Sequence, residues 1–302
     1  MTVPEYAAYQ RDMGERVIES DGVFWRRVRP FFYRPVVPFE ELNSVSVRPP
    51  RAGLLGGWQF AVKDHCQANS RMAFLIFPDA AQYDLEHLDR WHRRQVRKAI
   101  SNFEVRRVTN PGELVGAYDA YLDFYRRTRY AYRADRVRPE RFAEWAEAVF
   151  RHPKSVVLAA FAHGKIEAVA VCQPVEDTLI YAAFFSTEAA FALQVGSLML
   201  HAVRTIAAQA KGIQQVFAGM RKVGGQACID EFHLQRGCKV VVKPAWCRLN
   251  PIARITLRLL SPQRYAQLLG VPWEKDNVQA ASSSPHISQP GVAGTKVAAA
   301  SE

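Results

Sequence analysis

From Arg90 onward the hydrophobic and polar positions alternate between two periods. Residues 91–100 read as a basic helix, and residues 103–109 as a strand with Phe103, Val105 and Val108 among polar neighbours. Pro111 follows Asn110 as a first-turn residue should, opening a helix to about Arg127. A second helix runs over 139–150, where Phe142, Trp145, Val149 and Phe150 recur at helical spacing. Residues 156–161 are continuously apolar, the mark of a strand buried on both faces. His163-Gly164 turns that strand into 166–172, and Glu176-Asp177 turns again into 179–185. Such short connections require antiparallel pairing. Residues 196–211 then form an amphipathic helix with Met199, Val203, Ile206 and Ala210 on one face, closed by Gly212. A strand at 213–218, a helix at 226–236 ended by Gly237, and a strand at 238–242 complete the series.

The order is strand, two helices, a three-strand meander, helix, strand, helix, strand. The meander excludes a doubly wound nucleotide fold, which needs repeated βαβ units. Residues 1–89 differ in composition, with Pro30, Pro35, Pro38, Pro49, Pro50, Gly53, Gly56 and Gly57 separating strand-like pieces at 58–62 and 72–77. This zone reads as an irregular N-terminal extension or reduced half-domain. Residues 90–248 form the regular domain and 249–273 an amphipathic segment interrupted by Pro262. Residues 274–302, rich in Ala, Ser, Pro and Gly, read as a disordered tail.

Composition narrows the chemistry. Hydrophobic residues make up 49% of the 302, enough for a real core. No apolar run approaches the roughly 18 residues of a membrane span, and the N-terminus lacks a signal-peptide pattern. The expected location is the cytoplasm, with peripheral attachment to the inner face of the membrane as an alternative. Five cysteines, an odd number without C-x-x-C spacing, argue against a zinc or disulfide framework, and no metal site is expected. The net charge of +11, mostly arginine, attracts polyanions such as coenzyme A phosphates, tRNA or an anionic membrane surface. It concentrates at 90–98 and 126–141, each of which also reads as a solvated helix face.

Phe232-His233-Leu234-Gln235-Arg236-Gly237-Cys238 resembles the F-Y-x-x-x-G-F ending of the last helix in the GNAT superfamily. Gln194-Val195-Gly196-Ser197-Leu198 resembles that superfamily's glycine-bearing loop before the central helix. Arg94-Gln95-Val96-Arg97-Lys98-Ala99, Gly164-Lys165-Ile166-Glu167-Ala168-Val169-Ala170 and Asp177-Thr178-Leu179-Ile180-Tyr181 resemble, in order, segments of FemAB-like bacterial N-acyltransferases. The resemblance implies an α+β fold with a largely antiparallel mixed sheet flanked by helices. It implies transfer of an acyl or aminoacyl group from acetyl-CoA, another acyl-CoA or aminoacyl-tRNA to an amine. That amine belongs to a small molecule, a peptide or a cell-envelope precursor. The competing reading is a non-catalytic module of the same fold that holds RNA or another polyanion.

A helix N-terminus binds pyrophosphate when glycine lets the backbone approach. Gln194, Val195, Gly196, Ser197 and Leu198 are therefore the expected donor-binding residues, with Phe185 and Ser186 on the preceding strand beside the acyl arm. The loop departs from the superfamily pattern, keeping only its last glycine, Gly196. His233 falls where many members carry a proton-donating tyrosine, and an imidazole of ordinary pKa near 6.5 serves as acid or base. A solvated helix histidine is the plainer reading. Glu231, like Asp230, is a candidate base for the attacking amine. Tyr181 is expected in the acceptor pocket, with Ala183 and Phe185 on its face at period two. Cys228 is a weaker nucleophile candidate, since no histidine–acid arrangement singles it out.

Overall fold

The protein is described by a computed structural model over residues 1–43, 47–130, 132–221 and 227–270. The chain opens with α1 (Val3–Asp12), then β1 (Val17–Ser20), β2 (Val23–Arg29), β3 (Phe32–Pro35), β4 (Glu41–Leu42), β5 (Gly57–Val62) and β6 (Ser70–Phe77). It continues through α2 (Arg90–Ile100), β7 (Glu104–Val108), α3 (Pro111–Val115), α4 (Tyr118–Thr128) and α5 (Pro139–Phe150). The meander is β8 (Val156–Ala162), β9 (Lys165–Val175) and β10 (Thr178–Ser186). After it come α6 (Glu188–Ala192), α7 (Val195–Gln209), β11 (Gln215–Met220), α8 (Ala227–Leu234), β12 (Lys239–Leu249), α9 (Pro251–Leu260) and α10 (Pro262–Leu269).

The twelve strands of the described residues join one sheet, in the order β1-β2-β3-β5-β12-β6-β11-β10-β9-β8-β7, with β4 beside β5. Pairing is antiparallel except for β10 with β11 and for β5 with β3 and β4. The architecture is the expected mixed, largely antiparallel sheet flanked by helices. Residues 1–89 supply six of the strands, and β6 lies between β11 and β12 in the middle of the sheet.

The local chemistry explains the meander. His163 and Gly164 both have positive φ, the two-residue turn whose twist matches antiparallel strands, and Glu176 takes the same left-handed conformation at the next turn. β8 is apolar throughout because its two faces enter two cores: Val157 and Ala159 face one, Leu158 and Ala160 the other. The first core is closed by α4 and α5 through Tyr121, Phe142 and Trp145, and the second by α2 and α7 through Val96, Leu198, Met199 and Val203. A third core of Trp25, Tyr33, Trp58 and Phe60 lies at the N-terminal end of the sheet.

One expected helix is two. The pattern from Pro111 to about Arg127 breaks at Gly116 and Ala117, separating α3 from α4. Glycine is a poor helix former, and a Cβ here would sit 3.1 Å from the Glu113 carbonyl oxygen. Pro262 separates α9 from α10, as expected from its missing N–H. The 274–302 segment lies outside the described residues.

Candidate active site

β10 and β11 run parallel and pair only from Thr178 opposite Gln215 to Ile180 opposite Phe217. Beyond that point each strand is irregular. The β10–β9 register shifts between Tyr181 and Ala183, and the β11–β6 register between Phe217 and Gly219. Past Ile180 and Phe217 the facing edges of the two strands are no longer paired with each other, and the space between those edges is termed the cleft. α6 and then α7 follow β10, and α8, which follows β11, brings His233 against Tyr181 of β10.

The bulge in β10 changes which side chains face the cleft. Unbroken alternation would put Tyr181, Ala183 and Phe185 on one face. The extra residue reverses the phase, so Tyr181 and Phe184 share the α7 side while Ala183 and Phe185 enter the opposite core. Phe185 is fully buried against Tyr121, Phe142 and Trp145. It is a core residue, and the expectation that it shares a face with Tyr181 is corrected. Ser186 is also buried, and its carbonyl accepts from Arg127 Nη2 at 3.4 Å.

Tyr181 and His233 are brought together. Their ring centroids lie 6.5 Å apart, edge to face, and Phe77 and Phe232 flank the imidazole. His233 is buried, its Nδ1 makes no well-formed hydrogen bond, and burial lowers its pKa to about 4. The imidazole is therefore neutral near pH 7. Neither the solvated reading nor a standing imidazolium donor fits this environment. Burial moves the Tyr181 phenol the other way, well above its ordinary value, so it stays protonated. One group keeps its proton for donation and the other keeps a lone pair for acceptance.

Glu231 is not part of this pair. It is exposed on α8 and accepts from Gln235 Nε2 at 3.1 Å, one turn along. Asp230 is half-buried beside Arg221, with Nε 3.6 Å from its carboxylate. The Cys228 side chain lies outside the described residues.

The start of α7 is more enclosed than a bare phosphate loop. Gln194 takes a left-handed conformation at φ 67°, and its carbonyl accepts from the Ser197 and Leu198 amides at 3.0 and 3.3 Å. Those two amides are engaged in the helix turn. Val195, Gly196, Ser197 and Leu198 are all buried. A Cβ on Gly196 would lie 3.7 Å from Phe232 and 3.8 Å from Phe184, an ordinary contact distance, so the aromatic packing alone does not require glycine here. Ser197 Oγ accepts from Arg236 Nη2 at 3.0 Å, and the same nitrogen donates to Gln95 Oε1 at 2.9 Å. Arg236 is buried and forms no ion pair among the described residues, and desolvation lowers its pKa to about 10. Just outside lies a cavity of about 300 Å³ lined by Trp91, Arg94, Gln95 and Lys98 of α2 and by Gln194. This cavity offers two cations beside a helix N-terminus, a setting that favours anions.

Tyr132 is the site residue that sequence reasoning missed. Its hydroxyl accepts from the Phe184 amide at 2.8 Å and donates to the Phe184 carbonyl at 2.7 Å. A side chain thus occupies the backbone edge of β10 where an extended acyl arm would pair. The ring stacks on Phe124 with an interplanar angle of 15°. The available signal was the aromatic interleaving of Phe124, Tyr125, Tyr130 and Tyr132 with the arginines of 126–141.

No group of three His, Cys, Asp or Glu among the described residues is placed to hold a metal ion. No helix among them is long and apolar enough to cross a membrane. No protein-family model matches the chain, and no curated protein matches it significantly. Solved structures do. FemX aligns with a TM-score of 0.53 at 10% identity, covering 85% of this chain and 93% of its own. The C-terminal domain of a putative lysylphosphatidylglycerol synthetase from Agrobacterium fabrum aligns at 0.54 and 13%, covering 88% and 93%. L-PGS from Bacillus licheniformis aligns at 0.52 and 12%, covering 87% and 96%. The fold is GNAT-like, of the FemAB-like kind.

Proposed function

We propose that this GNAT-like chain is an acyltransferase that takes an acyl or aminoacyl group from a phosphate-bearing donor and delivers it to an amine. The observation that carries the reading is the parting of β10 and β11 beside Tyr181 and His233, with α7 starting at the same end. The donor's phosphates rest in the cavity between α2 and α7, against Arg94 and Lys98. Its acyl carbonyl enters the cleft, where the amine attacks directly. The protonated Tyr181 hydroxyl donates to the developing oxyanion or the leaving group, and neutral His233 accepts a proton.

Two donor classes, acyl-CoA and aminoacyl-tRNA, share this phosphate chemistry. Aminoacyl-tRNA is the better fit. An extended pantetheine arm would have to displace Tyr132 from the Phe184 backbone, and the Ser197 and Leu198 amides are already engaged. An aminoacylated nucleotide end needs neither contact, and its phosphates meet the basic face of α2.

Transfer of a radiolabelled aminoacyl group from tRNA, or of an acyl group from coenzyme A, to a panel of amines tests the reading. Turnover by wild type that falls about a hundredfold in Tyr181→Phe, with donor binding retained, supports it. Salt-dependent RNA binding with no transfer from any donor would instead identify a polyanion-holding module.

A further inference from the structure

α9 leaves its apolar stripe uncovered. Ala253 and Leu257 are the half-buried residues on the side facing the protein, while Ile252, Ile255, Leu259 and Leu260 are 75%, 59%, 73% and 78% exposed. Ile252, Ile255 and Leu259 follow the i, i+3, i+7 spacing of one helix face. α10, by contrast, is tied to the sheet, where Gln59 Nε2 donates to the Leu268 carbonyl at 2.7 Å.

Two other segments bring apolar side chains to the start of α9. The 3-10 turn Arg51–Leu55 carries exposed Leu54 and Leu55, and the β2–β3 turn carries exposed Phe31. Hydrogen bonds connect the three segments: Asn250 Nδ2 to the Leu54 carbonyl, the Asn250 amide to the Gly56 carbonyl, and the Gly57 amide to the Phe31 carbonyl. An apolar surface made from three separate segments is unusual on a soluble face and marks an interaction site.

Its charge decides what it meets. Arg29, Arg51, Arg254 and Arg258 are exposed around it and make no ion pair among the described residues. Residues 22–39, 48–63 and 232–273 contain no Asp or Glu. A second copy of the chain docked symmetrically would set this arginine rim against itself. An anionic bilayer supplies both complements at once: acyl chains for the aliphatic stripe and headgroup phosphates for the guanidinium groups.

We infer that the face formed by α9, Leu54, Leu55 and Phe31 docks the protein flat on an anionic lipid surface. The inference does not depend on the acyltransferase reading, and it is tested without any acyl donor. The full chain is floated with vesicles of phosphatidylcholine alone or with about 30% phosphatidylglycerol. Partition into the anionic vesicles, weakened by salt, is expected. Ile255→Glu with Leu259→Glu should lower it at least about tenfold, and Arg254→Gln with Arg258→Gln about fivefold per arginine. All four side chains are exposed, so both double variants should melt at the wild-type temperature. Equal binding to neutral and anionic vesicles, or wild-type binding by Ile255→Glu/Leu259→Glu, would overturn the inference. So would a wild-type dimer that binds no vesicles and is split by that same variant.

Discussion

At the scale of single residues, His233 and Tyr181 are set apart by burial, and the consequence is measurable. The unfolded chain protonates His233 near its ordinary pKa of about 6.5, whereas the folded chain does so at about 4. Between those values the unfolded state binds more protons, so stability falls as pH drops through the window and is fully present above it. From about pH 7 to about pH 5, wild type should lose roughly 2 kcal/mol more than His233→Phe in paired thermal melts. Equal losses would mean that the imidazole is not buried in solution. Phe185 gives a second residue-scale test. With its ring filling the core, Phe185→Ala should cost roughly 3–5 kcal/mol in denaturant unfolding, whereas a cleft-lining phenylalanine would cost far less. Period-two reasoning placed Phe185 beside Tyr181 because a bulge leaves no mark in the hydrophobic pattern. The motif around His233 was legible, but its burial depends on Phe77 and Tyr181, which are remote in sequence.

At the scale of elements, the meander, the long α7 and the final helix–strand pair were readable because their periods are long and their turns carry glycine or paired acids. The six strands of residues 1–89 were harder. β2 places Arg26, Arg27 and Arg29 among its apolar residues, and β4 is only two residues long, so neither alternates cleanly. Their strand character comes from partners: β5 lies against β12 and β6 against β11 and β12. The α2–α7 cavity makes an element-scale prediction. Arg94→Ala with Lys98→Ala should reduce donor affinity by about tenfold or more and make its salt dependence shallower, because fewer phosphates are neutralised. Binding titrations at two salt concentrations read both quantities. The segment carrying Tyr132 makes another. Tyr132→Phe leaves the Phe184 amide and carbonyl without their side-chain partner and should cost roughly 1–3 kcal/mol in denaturant unfolding.

At the scale of the whole molecule, the sheet ties the N-terminal zone to the candidate site. β6 pairs with β11 on one side and β12 on the other, and Phe77 at its end flanks His233. Removing residues 1–89 would expose both neighbours along their hydrogen-bonding edges, so the remainder should lack cooperative unfolding by circular dichroism. The lipid-facing surface also belongs to this scale, since its apolar side chains come from β2–β3, the 3-10 turn and α9. The role proposed for the α2–α7 cavity is to receive the phosphates of an acyl donor used in the cleft. Thermal melting of wild type and Arg94→Ala/Lys98→Ala, titrated with aminoacyl-tRNA and a series of acyl-CoAs, tests it most directly. One donor class should raise the wild-type melting temperature saturably, by about 5 °C at a hundredfold excess over Kd, and the double variant should lose the response. No response to any donor, or the same response in both proteins, would contradict it.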